Sequence, residues 1–216
     1  MRAFVITIKD NPQSVEMSDR CIKSFKKHND DSIEAFDAIT PETTEVFSLA
    51  HYHGIPVKNF LEKYSRYDRC VSAFLSHFLL WKKCIELNES IIIFEHDAVV
   101  KAPIPKMPFN GLVNIGKPSY GKYLMPNLGL GKLVSKQYLP GAHAYAITPK
   151  GAEAIVAETV FNAQPTDVYL NNRLFPWIEE YYPWPVDCED SFTTIQNETG
   201  CLAKHNYGNG EDYGII

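Results

Sequence analysis

The chain has 216 residues, with 21 Lys and Arg against 26 Asp and Glu, a net charge of −5, and 45% hydrophobic and 22% charged residues. This balance excludes a disordered polymer and argues against a surface built mainly for nucleic acid. The length suits one domain with a substantial core, and no apolar run approaches the ~20 residues of a membrane span.

The apolar run in the opening MRAFVI is too short for a signal peptide and reads as a strand, Ala3 to Ile8. Asp10 to Ser14 breaks it, and Val15 to His28 has helical spacing, with Met17, Cys21, Ile22 and Phe25 on one face. Ile33 to Ala38 is a second strand, closed by Thr40-Pro41. Residues 41–66 are helical only in places, and His51 and His53 there read as surface or packing residues. Cys70 to Asn88 is a mostly buried helix with apolar residues around most of its circumference. Ser76 and His77 lie inside it, where a polar pair needs hydrogen-bond partners.

The next stretch, SIIIFEHDAVV, organises the rest. Ile91 to Phe94 has no alternation, the pattern of a strand buried on both faces, and ends in Glu95-His96-Asp97. Ligands in open α/β sheets sit beyond the carboxyl ends of such strands, and two carboxylates there offer hard oxygen ligands to Mg²⁺ or Mn²⁺. If the strand continues, His96 points to the opposite face from its neighbours.

Gly111 to Ile115 is a short strand, followed by a Gly-, Lys- and Tyr-rich loop to Tyr138 whose length marks it as functional. Ala142 to Thr148 alternates as a strand and turns at Pro149-Lys150-Gly151 into a helix over Ala152 to Val160. Pro165-Thr166-Asp167 starts another helix, which Asp167 could cap. The tail reads as strand and loop. Between Asp97 and Glu153 there is no acidic residue but seven lysines, a segment suited to a phosphate-bearing ligand or simply a solvated face. The five cysteines form no CxxC and are odd in number, which sets the expectation of reduced thiols in a cytoplasmic protein. The order of elements predicts a single α/β domain over residues 1–216.

Three blocks in this order, LSHFLLWKKCIELNESIIIFEHDAVV, GAHAYAITPKGAEAI and PTDVYL, resemble glycosyltransferase family 25, the lipooligosaccharide and collagen galactosyltransferase group. The resemblance runs over about residues 1–195. It departs from the family pattern at His96, where an acidic residue is usual, after the first strand at Thr7-Ile8-Lys9-Asp10, and near Cys70. It implies a GT-A type, Rossmann-like domain with a mixed, mostly parallel sheet flanked by helices. It also implies an inverting hexosyl- or pentosyltransferase using a nucleotide-sugar, generally UDP-linked, with Mn²⁺ or Mg²⁺, as in lipopolysaccharide biosynthesis. On that resemblance Asp97, Glu95 and His205 are the metal candidates and Asp167 is the candidate base. Ile6, Thr7, Ser76, His77, Glu95, His96, Lys117, Gly141 and His143 are the candidates for holding the donor. The acceptor would be a glycan; the alternatives are a hydroxymethylated DNA base, contacted by the acid-free segment, or an inert nucleotide-sugar-binding module. The oligomeric state stays open.

Overall fold

The computed structural model describes residues 1–61, 65–119, 121–189 and 194–195. In chain order the elements are β1 (Arg2–Thr7), α1 (Pro12–His28), β2 (Ile33–Asp37), α2 (Val46–Tyr52), α3 (Tyr67–Leu87), β3 (Ile91–Glu95) and β4 (Ala98–Val100). There follow β5 (Leu112–Asn114), β6 (Gly129–Lys132), β7 (Ala144–Ile147), α4 (Pro149–Asn162), α5 (Thr166–Tyr169), β8 (Glu179–Tyr182) and β9 (Val186–Cys188). A 3-10 turn, Lys58–Phe60, precedes α3.

The starts of α1 and α4 fall earlier than the apolar spacing alone predicts, because capping sets them. The Asn11 side chain accepts the Ser14 N–H with Pro12 in the first turn, so α1 begins ahead of Val15. α3 ends where Asn88 takes the left-handed conformation at φ 49°.

Seven strands form one sheet in the order β2-β1-β3-β7-β5-β8-β6, and β4 pairs separately with β9. β1–β2, β1–β3 and β5–β8 are parallel, whereas β3–β7, β5–β7 and β6–β8 are antiparallel. The molecule is therefore a mixed α/β structure. The expectation of a mostly parallel sheet holds for strand direction, since only β7 and β6 oppose β1, but not for the pairings, of which half are antiparallel.

β1 and β3 are buried on both faces. Phe4, Ile6, Ile91 and Ile93 join the core that contains Phe74 and Trp81 of α3 and Ile155 of α4. Ala3, Val5, Ile92 and Phe94 join a second core with Cys21 and Phe25 of α1. Two apolar faces leave no position for a polar residue, which is why neither strand alternates in sequence. β7 is buried likewise, with Tyr145 and Ile147 on the α3 face and Ala144 and Ala146 on the α1 face. In the first core Phe74 meets Phe60, Trp81 and Tyr169 edge-on, with ring centroids 5.1, 5.6 and 5.4 Å apart.

The Pro-Lys-Gly turn has a packing reason. Thr148 caps α4 by accepting the Gly151 N–H, and its own N–H donates to the Gly111 carbonyl at 2.8 Å. That draws the first turn of α4 against the backbone before β5, where a Cβ on Gly151 would overlap the Gly111 carbonyl. Backbone cannot move aside as a flexible side chain does. Gly151→Ala is therefore expected to destabilise by about 1–3 kcal/mol, read as a lower urea midpoint at unchanged m-value; an unchanged midpoint would refute the packing account.

Candidate active site

β1, β3 and β5 end at one rim of the sheet, at Thr7, Glu95 and Asn114. Antiparallel β7 begins there, so the Glu95 N–H donates to the His143 carbonyl at 2.9 Å. Gly141, with φ 83°, and Ala142, with φ 46°, bend the chain into β7; a Cβ on Gly141 would run into Ser119 and approach His143. His143 is buried against Gly116. Ligands bind at such carboxyl rims in α/β sheets, and Thr7, Glu95, Gly141 and His143 of the sequence-predicted residues lie along this one.

Glu95 keeps the face of Ile91 and Ile93, toward α3. Its Oε1 lies 3.2 Å from His77 Nε2, His77 Nδ1 lies 2.8 Å from the Tyr145 hydroxyl, and Trp81 Nε1–H donates to that hydroxyl at 2.8 Å. The proton positions follow from the chemistry of the groups. The indole only donates, so the Tyr145 oxygen accepts from it; an ionised carboxylate only accepts, so His77 carries its proton on Nε2 and receives the Tyr145 proton at Nδ1. Burial pushes His77 down to about 3, against the opposing pull of the Asp167 charge, which keeps the ring neutral. Burial also holds the Tyr145 hydroxyl protonated, well above the usual phenol range. The chain of bonds fixes the orientation of Glu95 from inside the core. Tyr145 and Trp81 were not singled out in the sequence as site residues. Trp81 is four residues from His77, on the same helix face, and that spacing is the signal that could have found it.

His96 takes the opposite face, as strand geometry predicts. Its Nδ1 lies 3.0 Å from Ser14 Oγ, which also receives the Ile8 N–H at 2.9 Å. Burial, aided by the Arg20 charge, pushes His96 down to about 4. Thr7 donates to the Val5 carbonyl and lies 2.6 Å from Ser18 Oγ, so it ties β1 to α1, with Ile6 packed in the α3-side core. Asp97 also lies on the α1 side: its carbonyl accepts from Arg20 at 3.4 Å and from the Glu189 N–H at 3.1 Å. Its charge adds to the burial that pushes the Cys21 thiol up to about 12.

Asp167 lies in the first turn of α5 but does not cap it. Pro165 occupies the cap position, and Asp167 Oδ1 accepts the N–H of Val168 at 3.0 Å. Its carbonyl receives the Leu139 N–H at 3.2 Å, which ties it to the chain leading to Gly141. Ser76 is fully buried; its hydroxyl donates to the Ser72 carbonyl and accepts the Ile39 N–H, both at 2.9 Å, anchoring the segment after β2 to α3. Lys117 is exposed and pairs with Asp187 at 3.7 Å. Elsewhere in the acid-free segment Lys101 pairs with Glu189 at 3.0 Å and Lys106 with Asp31 at 3.5 Å, while Lys136 is buried over the Tyr138 ring. His53 packs on Phe78 at 4.9 Å between ring centroids. His205 lies outside the described residues, among which no three His, Cys, Asp or Glu side chains come together as a metal cage.

Both buried histidines bind protons in the unfolded chain near their ordinary pKa of about 6.5 but not in the native one. The unfolded state then carries more protons below that value, so stability rises with pH and falls as pH drops from about 6.5 toward 4. His77→Gln is expected to remove up to about 1.4 kcal/mol per pH unit of that slope between pH 6 and 5, measured as urea midpoint against pH. A slope equal to that of the wild type would show that His77 is charged in the folded protein.

No curated protein matches the chain significantly. The model of glycosyltransferase family 25, described as an LPS biosynthesis protein, matches residues 1–108, half of the chain. The matched part contains His77, Trp81 and the Glu95-His96-Asp97 end of β3, while Tyr145 and Asp167 lie beyond it. With that match spanning the strand and helix that build the rim, the chain belongs to glycosyltransferase family 25.

Proposed function

We propose that the protein is an inverting, metal-assisted transferase with a GT-A type, Rossmann-like sheet, moving a sugar from a nucleotide-sugar, generally UDP-linked, to a hydroxyl of a saccharide acceptor. The observation that carries the reading is Glu95, oriented from the core by His77 and Tyr145, at the end of a strand in the family-matched segment. Asp97 and Glu95 are the residues that would hold the ion, with His205 as a further candidate. Their oxygen donors suit Mg²⁺ or Mn²⁺, which complete their coordination from phosphate and water when the protein supplies few ligands. When bound, such an ion supplies charge stabilisation to the departing diphosphate.

The remaining chemistry falls to the chain itself. The acceptor hydroxyl gives its proton to the Asp167 carboxylate as its oxygen forms a bond to the anomeric carbon. The bond from that carbon to the diphosphate oxygen breaks, and the nucleotide diphosphate leaves with the electron pair. Attack opposite the leaving group inverts the centre. The position of Asp167 supports this role: it sits close enough to act electrostatically on His77, yet it is not used as the helix cap. Glu95, held in place by His77, would serve as a ligand or would orient the ligand shell. The modified-DNA alternative has less behind it, because three lysines of the acid-free segment are ion-paired within the chain and a fourth is buried.

Thermal shifts with a panel of nucleotide-sugars, with and without Mn²⁺, test the donor. A donor at 100 times its dissociation constant adds about 2.7 kcal/mol, and Asp97→Asn is expected to abolish the metal-dependent part. Asp167→Asn is expected to keep that shift and lose about 10²- to 10⁴-fold in transfer rate. Unchanged turnover would remove Asp167 from the role, and donor binding without transfer or donor hydrolysis in the wild type would indicate an inert module.

A further inference from the structure

We infer that the loop Leu124 to Val134 docks the protein on an anionic lipid surface. The loop is closed at its base: the Leu124 N–H donates to the Ser135 carbonyl at 2.9 Å. Glu180 of β8, itself fully buried, accepts the N–H groups of Val134 and Ser135 at 2.6 and 2.7 Å. β6 pairs with β8 through four residues, so the loop is held on the sheet edge.

What it presents outward is apolar. Leu124 is 70% exposed, Met125 62% and Leu128 80%, with Leu130 and Val134 also exposed. Half of the large, exposed hydrophobic side chains among the described residues fall in this one loop. Such residues scattered singly are ordinary, but a cluster on a braced loop marks a contact surface.

The charge pattern selects the occupant. Lys122 and Lys132 flank the cluster, both exposed and, among the described residues, without an ion-pair partner. Lys101, Lys106 and Lys117 of the same acid-free segment are all paired. Glu179, opposite Lys132 in the β6–β8 register, is engaged by the Asn110 N–H at 2.8 Å. A second copy docked by two-fold symmetry would set these lysines near their own counterparts, like charge to like. A bilayer with anionic headgroups takes both the apolar side chains and the lysines.

The placement bears on the site. Gly129 lies opposite Tyr182, the last residue of β8, so Leu128 just before it emerges at the same rim as Glu95. β6 stands four strand spacings from β3, about 19 Å. Resting on the transferase reading, the docked loop would bring that rim to an acceptor carried at a membrane surface.

Sedimentation of the whole protein with vesicles of phosphatidylcholine, alone or mixed with phosphatidylglycerol, tests this without donor or acceptor. The protein is expected to pellet with the anionic vesicles and to be released by salt. Leu124→Ser, Met125→Ser and Leu128→Ser together should weaken binding at least tenfold at unchanged melting temperature. Lys122→Gln and Lys132→Gln should each weaken it about fivefold. Absence of binding, equal binding to neutral vesicles, or undiminished binding by the triple variant would each overturn the proposal. So would a dimer in light scattering that the triple variant loses without any vesicle binding. Vesicle binding by a protein that transfers no sugar would overturn the transferase reading and leave this one standing.

Discussion

A neutral histidine held inside helix α3 is the constraint on which the candidate site depends. His77 is buried, so its ring nitrogens need partners within the protein, and charging it would carry a large desolvation cost. Tyr145 and Glu95 are those partners, and Trp81 secures the tyrosine. Each group has one assignment of donors and acceptors that satisfies all of them. The carboxylate at the end of β3 is thus oriented by the same packing that joins α3 to the sheet.

The sheet supplies the second constraint. A strand buried on both faces sends alternate side chains to different helices, and β3 continues this past its apolar run. Glu95 goes to α3, whereas His96 goes to Ser14 at the start of α1. Asp97, one residue further, lies on the α1 side near Arg20 and Cys21. The acidic motif is therefore not a simple pair of parallel carboxylates. It is a branch point where the two layers of the fold meet at the rim, and His96 braces the α1 side of that branch. The antiparallel insertion of β7 beside β3 then brings His143, Gly141 and the chain that contacts Asp167 to the same rim.

The loop beyond β5 answers to different physics. Its base is fixed by backbone hydrogen bonds and the buried Glu180 carboxylate, while Leu124, Met125 and Leu128 are left largely exposed. Leaving apolar area in water is unfavourable, so a braced loop that does so invites a partner. Lys101, Lys106 and Lys117 of the acid-free segment are neutralised from within, whereas Lys122 and Lys132 at this loop, like Lys150 on α4, have no ion pair among the described residues.

Much of this was legible in the chain. β1 to β3, α1, α3 and α4 were readable because their apolar residues are local signals of burial, and Glu95, Asp97 and His77 stood out as polar groups placed against such runs. Fixed by local chemistry too were the Thr148 cap and the tight Gly151 turn, both at the Pro-Lys-Gly signal. The antiparallel direction of β7 could not be read, because a doubly buried strand has the same composition whichever way it runs. Nor could β6, whose GLGK carries no alternation and is paired only because Glu180 and β8 hold it in place. The sequence by itself determined which residues are buried and which carry charge, since burial follows residue type and period. Tertiary structure alone decided that Tyr145, 68 residues from His77, completes its hydrogen bonds, and that Asp167 lies near enough for its charge to reach that ring. Such pairings depend on strand order and direction, which no local signal encodes.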